Sequence, residues 1–198
     1  YKFAPLTGAH EPCGEEIAGH LSRHFSWFGP PLFIKRDNAG NLNHSSVNDL
    51  LEEHMVIPIN SPYYTPSYNG AIEHTQGEFK TYLRRLGLKA ESGSEIVLLA
   101  ETAAHDLNHR PRRSLKGLNA CRTYFGGTRL RYSKRERQQV YRWIRELAVA
   151  ISIGAGKDTI LPAAWRAAAK KWLVKNGMIR IQMAGKVLPD FPSKWCHN

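Results

Sequence analysis

Cysteine is scarce. Cys13, Cys121 and Cys196 are odd in number and far apart in a chain of 198 residues, which argues against a disulfide framework and for a reducing compartment. Long apolar runs are missing too: no stretch approaches the roughly 18 uncharged apolar residues that a membrane span needs, so a soluble protein with no membrane partner is expected. No basic segment followed by an apolar one opens the chain, and secretion is therefore not indicated. Internal repeats and low-complexity tracts are absent, which excludes solenoid and fibrous architectures. Acids are few, with 17 Asp and Glu against 28 Lys and Arg.

What is present begins with the resulting charge of +11. Between Arg110 and Arg142 stand eleven basic residues and a single acid, Glu136. Nearly the whole excess sits in that segment. Such a strip attracts a polyanion through counterion release, and Tyr124, Phe125, Tyr132 and Tyr141 interleave it with rings able to stack on bases. The alternative is a solvated helix face and linker.

Apolar spacing predicts alternating elements. Lys2 to Ala9 reads as a strand; Ile17, Leu21, Phe25 and Phe28 form one helical stripe ended by Gly29-Pro30-Pro31. PLFIKR is a short strand that stops at Asp37, Ser46 to His54 a helix, and MVIPIN a second strand. SPYYTPSYNG is a loop by its Pro, Ser, Asn and Gly content. Helices follow from Gly70 to about Leu86 and from Ser94 to about Leu107. This order predicts an α/β layer with a largely parallel part to its sheet. After the basic strip, Val140, Ile144, Leu147 and Ile151 mark one helix, and Trp165, Ala168, Ala169 and Trp172 another. MIRIQMAGKVLP alternates like a hairpin. The helices and hairpin make either a small winged-helix-like module or a buttress for the first domain. The expected division is a core over 1–125 and a basic linker with a C-terminal module over 126–198.

The helix from Gly70 carries Glu73, Gln76, Lys80 and Arg84 within about 80° of one another at 100° per residue. Ile72, Phe79, Leu83 and Leu86 form an adjacent apolar seam, expected to pin the helix to a core. Asp37 stands where the PLFIKR strand ends, the place at which open α/β sheets expose functional groups. Thirty-five residues separate Asp37 from Glu73.

That spacing resembles the second half of the DDE integrase and transposase family. The surroundings agree: RDNAGN after an apolar strand, INSPYYTPSYNGAIE before the glutamate, GEFK on the same helix, and LNHRPRRSLKG further on. The resemblance covers roughly Gly29 to Gly117. It implies an RNase H-like mixed sheet flanked by helices and an enzyme that cuts and rejoins DNA, integrating a mobile element by strand transfer. It implies two Mg²⁺ (or Mn²⁺) ions, with Asp37 and Glu73 as catalytic metal ligands. DNA would be contacted by Asn38, Gln76, Lys80, Arg84, Arg110, Arg112 and Arg113. Tyr63 and Tyr64 would either join them or pack the loop. The implied partners are element ends, target DNA and further copies of the chain, in the cytoplasm at a prokaryotic nucleoid.

Three features depart from the family pattern. Its first acid, on a first strand well before Asp37, has no counterpart, so the chain looks like a member lacking its first two strands. The usual Asp-Asn-Gly is lengthened to Asp37-Asn38-Ala39-Gly40, and Cys121 stands where Pro is common. Two further readings therefore accompany the recombinase: a catalytically inactive DNA-binding remnant and an RNase H-like nuclease. His20 and His24, one turn apart, have no obvious third metal ligand.

Overall fold

The computed structural model describes residues 11–87, 92–127 and 132–179. Its order is α1 (Gly14–Phe28), β1 (Phe33–Arg36), α2 (Ser45–Glu53), β2 (Ile57–Asn60), α3 (Gly70–Leu86), α4 (Gly93–His109), α5 (Ala120–Gly126), α6 (Lys134–Gly154) and α7 (Pro162–Lys175), with short 3-10 turns at Asn41–Asn43, Pro66–Asn69 and Arg113–Leu115. The class is α/β and strongly helical. Among the described residues the sheet has two strands, paired in parallel with Phe33 opposite Ile57 and Arg36 opposite Asn60. The strand expected over Lys2 to Ala9 and the hairpin of MIRIQMAGKVLP lie outside the described residues, except for Met178 and Ile179.

Side chains alternate across a pleated strand, and each face of this small sheet has its own cover. Ile34 and Val56 face α1 and α2, packing with buried Ile17, Phe25, Val47 and Leu51. Phe33, Ile57 and Ile59 face α6 and α7, packing with Val140, Ile144, Ala168 and Trp172. The small side chains Ala148, Ala164, Ala168 and Ala169 are almost fully buried, which lets α6 and α7 approach closely. Helices α6 and α7 thus buttress the sheet. Two arginines tie them there: Arg137 Nη1 donates to the Pro31 carbonyl at 2.7 Å and Arg166 Nη1 to the Asn60 carbonyl at 3.0 Å.

Helix α5 was not foreseen within the basic strip; Asn119 nucleates it, its Oδ1 accepting from the Arg122 N–H at 2.7 Å, as an N-cap does. Helix α3 differs from expectation in its anchorage. None of its residues is buried and Ile72 is exposed. It is held by Phe79 and Tyr82 against Ala104 and Leu107 of α4, and by Tyr82 Oη donating to Asp106 Oδ2 at 2.5 Å.

The start of α1 abuts the start of α2. A Cβ on Gly14 would fall inside the van der Waals radius of His44 Cβ, at the residue that caps α2 through Nδ1. Overpacking of this kind costs about 1–3 kcal/mol. Gly14→Ala is therefore expected to lower the thermal midpoint by several degrees in a calorimetric scan, whereas Gly19→Ala, with open space around its position, should not.

Candidate active cleft

The sequence around β1 builds one end of a cleft. Asp37 follows the strand directly. Its Oδ1 accepts from the Ala39 N–H at 2.9 Å, an Asx turn that orients the carboxylate. Next to it in the chain, Arg36 is buried. Its guanidinium donates to three neutral acceptors: Asn60 Oδ1 at 3.1 Å, the Leu42 carbonyl at 2.7 Å and Asn48 Oδ1 at 2.8 Å. Burial lowers the Arg36 pKa from its ordinary value, yet an arginine remains charged at any physiological pH.

An amide network extends this anchor. Asn60 Nδ2 donates to Asn43 Oδ1 at 2.5 Å, and Asn43 Nδ2 donates to the Asp37 carbonyl at 3.1 Å. Asn38 Nδ2 donates to the Ser61 carbonyl at 3.0 Å. The Ser61 N–H donates to the Arg36 carbonyl at 2.9 Å and its hydroxyl to Asn69 Oδ1 at 2.8 Å. Asn69 is the residue before α3. The end of β1 and the start of α3 are therefore coupled through the end of β2. Lys35 adds a second tie, donating to the Tyr68 carbonyl with Nζ 3.8 Å from the centre of the Tyr68 ring.

Glu73 occupies the first turn of α3, where the helix dipole favours a negative charge. Asp37, Glu73 and Gln76 line the same cleft, of about 1110 Å³. Its floor is apolar, with Ile17, Leu21, Ile34 and Ile72. Its far walls are His20 and His24 on α1, and Glu101, His105, Asn108 and His109 on α4. The rings of His105 and His109 stack with centroids 4.1 Å apart, and burial lowers the pKa of His24. Among the described residues no group of three or more His, Cys, Asp or Glu side chains is placed to hold a metal ion. Asp37 and Glu73 thus bring two carboxylates to one opening, and Glu101 does not complete a triad with them.

The remaining sequence candidates separate. Lys80 and Arg84 are exposed further along α3. Tyr63 and Tyr64 are almost wholly exposed at 72% and 102%, so they do not pack the loop, and Tyr64 adopts a left-handed φ of 56°. Asn38 is spent on the loop network. Arg110 and Arg113 are exposed at the end of α4. Arg112 is turned inward: its Nη1 lies 2.9 and 3.1 Å from the two carboxylate oxygens of Glu78, and its Nη2 donates to the Leu107 carbonyl at 3.2 Å. That pair is mostly buried, with 15% and 22% of the side chains exposed.

A charged hydrogen-bonded pair so placed contributes roughly 1.5–3 kcal/mol. Arg112→Ala should therefore destabilise the fold, read as a lowered denaturant midpoint, and leave the salt dependence of any DNA binding unchanged. Arg113→Ala should do the reverse, reducing the salt slope by about one. The signal that could have separated the two arginines in sequence is Glu78 on the α3 face toward α4, but it becomes meaningful only once α3 and α4 are known to pair.

No helix among the described residues is long and apolar enough to cross a membrane. In comparisons with known proteins the sequence matches no family model and no curated protein.

Proposed function

We propose that this chain is part of a DDE-type polynucleotidyl transferase with an RNase H-like core, acting on the ends of a mobile DNA element and on target DNA as an oligomer. The observation that carries the reading is that Asp37 and Glu73, with 35 residues between them, line one cleft together with Gln76. Support also comes from the exposed cations Lys80 and Arg84, which continue the Glu73 face of α3 away from the cleft. A duplex laid along α3 would have its backbone neutralised by that row while a phosphodiester reached the acids. The exposed Tyr63 and Tyr64 beside it offer rings to the same strand.

Two carboxylates and an amide oxygen suit Mg²⁺ or Mn²⁺, which favours hard oxygen ligands and keeps several waters. Asp37 and Glu73 would hold one such ion. Glu101 lines the same cleft but forms no three-ligand group with them, so the donors among the described residues suit one ion rather than a pair. A bound ion supplies neutralisation of the phosphate and a more acidic water or hydroxyl. The chain's own part is to hold the two carboxylates apart from bulk rearrangement through the Arg36–Asn60–Asn43 and Ser61–Asn69 ties.

The deciding experiment incubates the protein with Mn²⁺, a labelled duplex and a plasmid. Covalently joined label supports strand transfer, and shortened label without joining supports the nuclease reading. DNA binding with neither product supports the DNA-binding remnant. Failure to bind DNA at all overturns the proposal.

A further inference from the structure

We infer that the end of α1 carries a stacking shelf for an unpaired nucleotide, so that the preferred DNA substrate has a single-stranded extension. The inference rests on the DNA-processing reading above and adds a substrate feature to it. Trp27 is 74% exposed and Phe125 52%, an unusual placement for large rings. Phe28 joins them, 6.3 Å from Trp27 edge-on and 6.4 Å from Phe125 between ring centres. Trp27 and Phe28 line both the acidic cleft and a second one of about 920 Å³, whose other walls include Phe125, Tyr132 and Lys134. A strand leaving the acids in that direction meets the shelf next.

The surrounding charge selects the occupant. Arg23 lies one turn before Trp27 on α1, and Arg122 and Lys134 are exposed nearby in sequence on α5 and α6. Against these, Glu53 is the acid lining the second cleft. Two copies of the chain meeting through this face would bring like charges together, whereas the phosphates on either side of a stacked base would be attracted. Ring stacking accepts any base, since every base presents a π-face.

The test compares a blunt duplex with the same duplex bearing an extension of about three nucleotides that includes 2-aminopurine, in metal-free buffer. The expected result is roughly tenfold tighter binding of the extended duplex, the gain of a single stacked base, together with quenching of the 2-aminopurine emission. Trp27→Ala should abolish both while leaving blunt-duplex affinity unchanged, and Trp27→Tyr should keep most of the preference. Equal affinities for the two duplexes, or a preference that survives Trp27→Ala, would overturn the shelf. So would a Trp27→Ala variant that changes sedimentation mass without changing the preference, because the face would then be a subunit interface. A Trp27-dependent preference in a protein that neither joins nor cleaves DNA leaves the shelf standing and removes the strand-transfer reading; joining without the preference does the opposite.

Discussion

Glu73→Gln should bind Mn²⁺ about 100-fold more weakly than the parent chain while unfolding at the same temperature. The side chain is exposed in the first turn of α3 and has no hydrogen bond among the described residues, so an isosteric amide costs the structure little. The ion loses much more. A doubly charged ion and a carboxylate about 3 Å apart attract by about 3 kcal/mol even at the dielectric constant of water, and each 1.4 kcal/mol is a factor of ten. Asp37→Asn should behave alike in the titration, and the double substitution should bind more weakly than either single one if both acids hold one ion. Duplex affinity in metal-free buffer should be unchanged or slightly raised, since one negative charge has gone from the exposed side of α3. Electron paramagnetic resonance of Mn²⁺ reads the outcome directly. Equal affinity in all three proteins would remove both acids from any metal site.

Much of the local architecture was legible because it depends on local chemistry. The stripe Ile17, Leu21 and Phe25, stopped by Gly29-Pro30-Pro31, corresponds to α1, and the Asn-Gly before Glu73 marks the start of α3. PLFIKR and IPIN could be read as strands from their apolar runs, and their parallel pairing from the helix between them. That Asp37 directly follows β1 and that Glu73 falls in the first turn of α3 were also legible, from the end of the apolar run and from the loop before the helix.

What could not be read depends on partners distant in sequence. The angular position of Ile72 places it in the seam of α3, but among the described residues α4 packs on α3 at Phe79 of that seam and at Tyr82 beside it, and Ile72 lines the cleft. Periodicity tells which face of a helix is apolar; it does not tell how much of that face finds cover. Arg110, Arg112 and Arg113 look alike in HRPRR, and the distinction between them is made by Glu78, 34 residues before Arg112. The histidines of α1 and α4 line one cleft although the two helices are far apart in the chain. No local pattern signals that.

Arg36 offers the second large effect, and it was invisible for the same reason. In RDNAGN the arginine reads as one more surface cation, yet it is 9% exposed and its fork joins the strand β2, the turn at Asn41–Asn43 and helix α2. Arg36→Leu should fill part of the volume and leave Asn60 Oδ1, Asn48 Oδ1 and the Leu42 carbonyl without their donor. Each hydrogen bond to a charged group is worth roughly 1.5–3 kcal/mol, while removing a buried cation returns its desolvation cost. The balance is a loss of about 2–4 kcal/mol, which in a chain of this size lowers the thermal midpoint by roughly 5–15 °C. Arg36→Lys should recover only part of that, because an ammonium on one stem cannot reach three acceptors in a plane. The network also sets the turn that holds Asp37, so Mn²⁺ affinity should fall in Arg36→Leu even well below its unfolding temperature, unlike in Arg112→Ala, which loses comparable stability at the α3–α4 contact. If both variants lose stability and neither loses metal affinity, the Arg36 network supports the fold alone and the Asp37 turn is held by its own Asx bond.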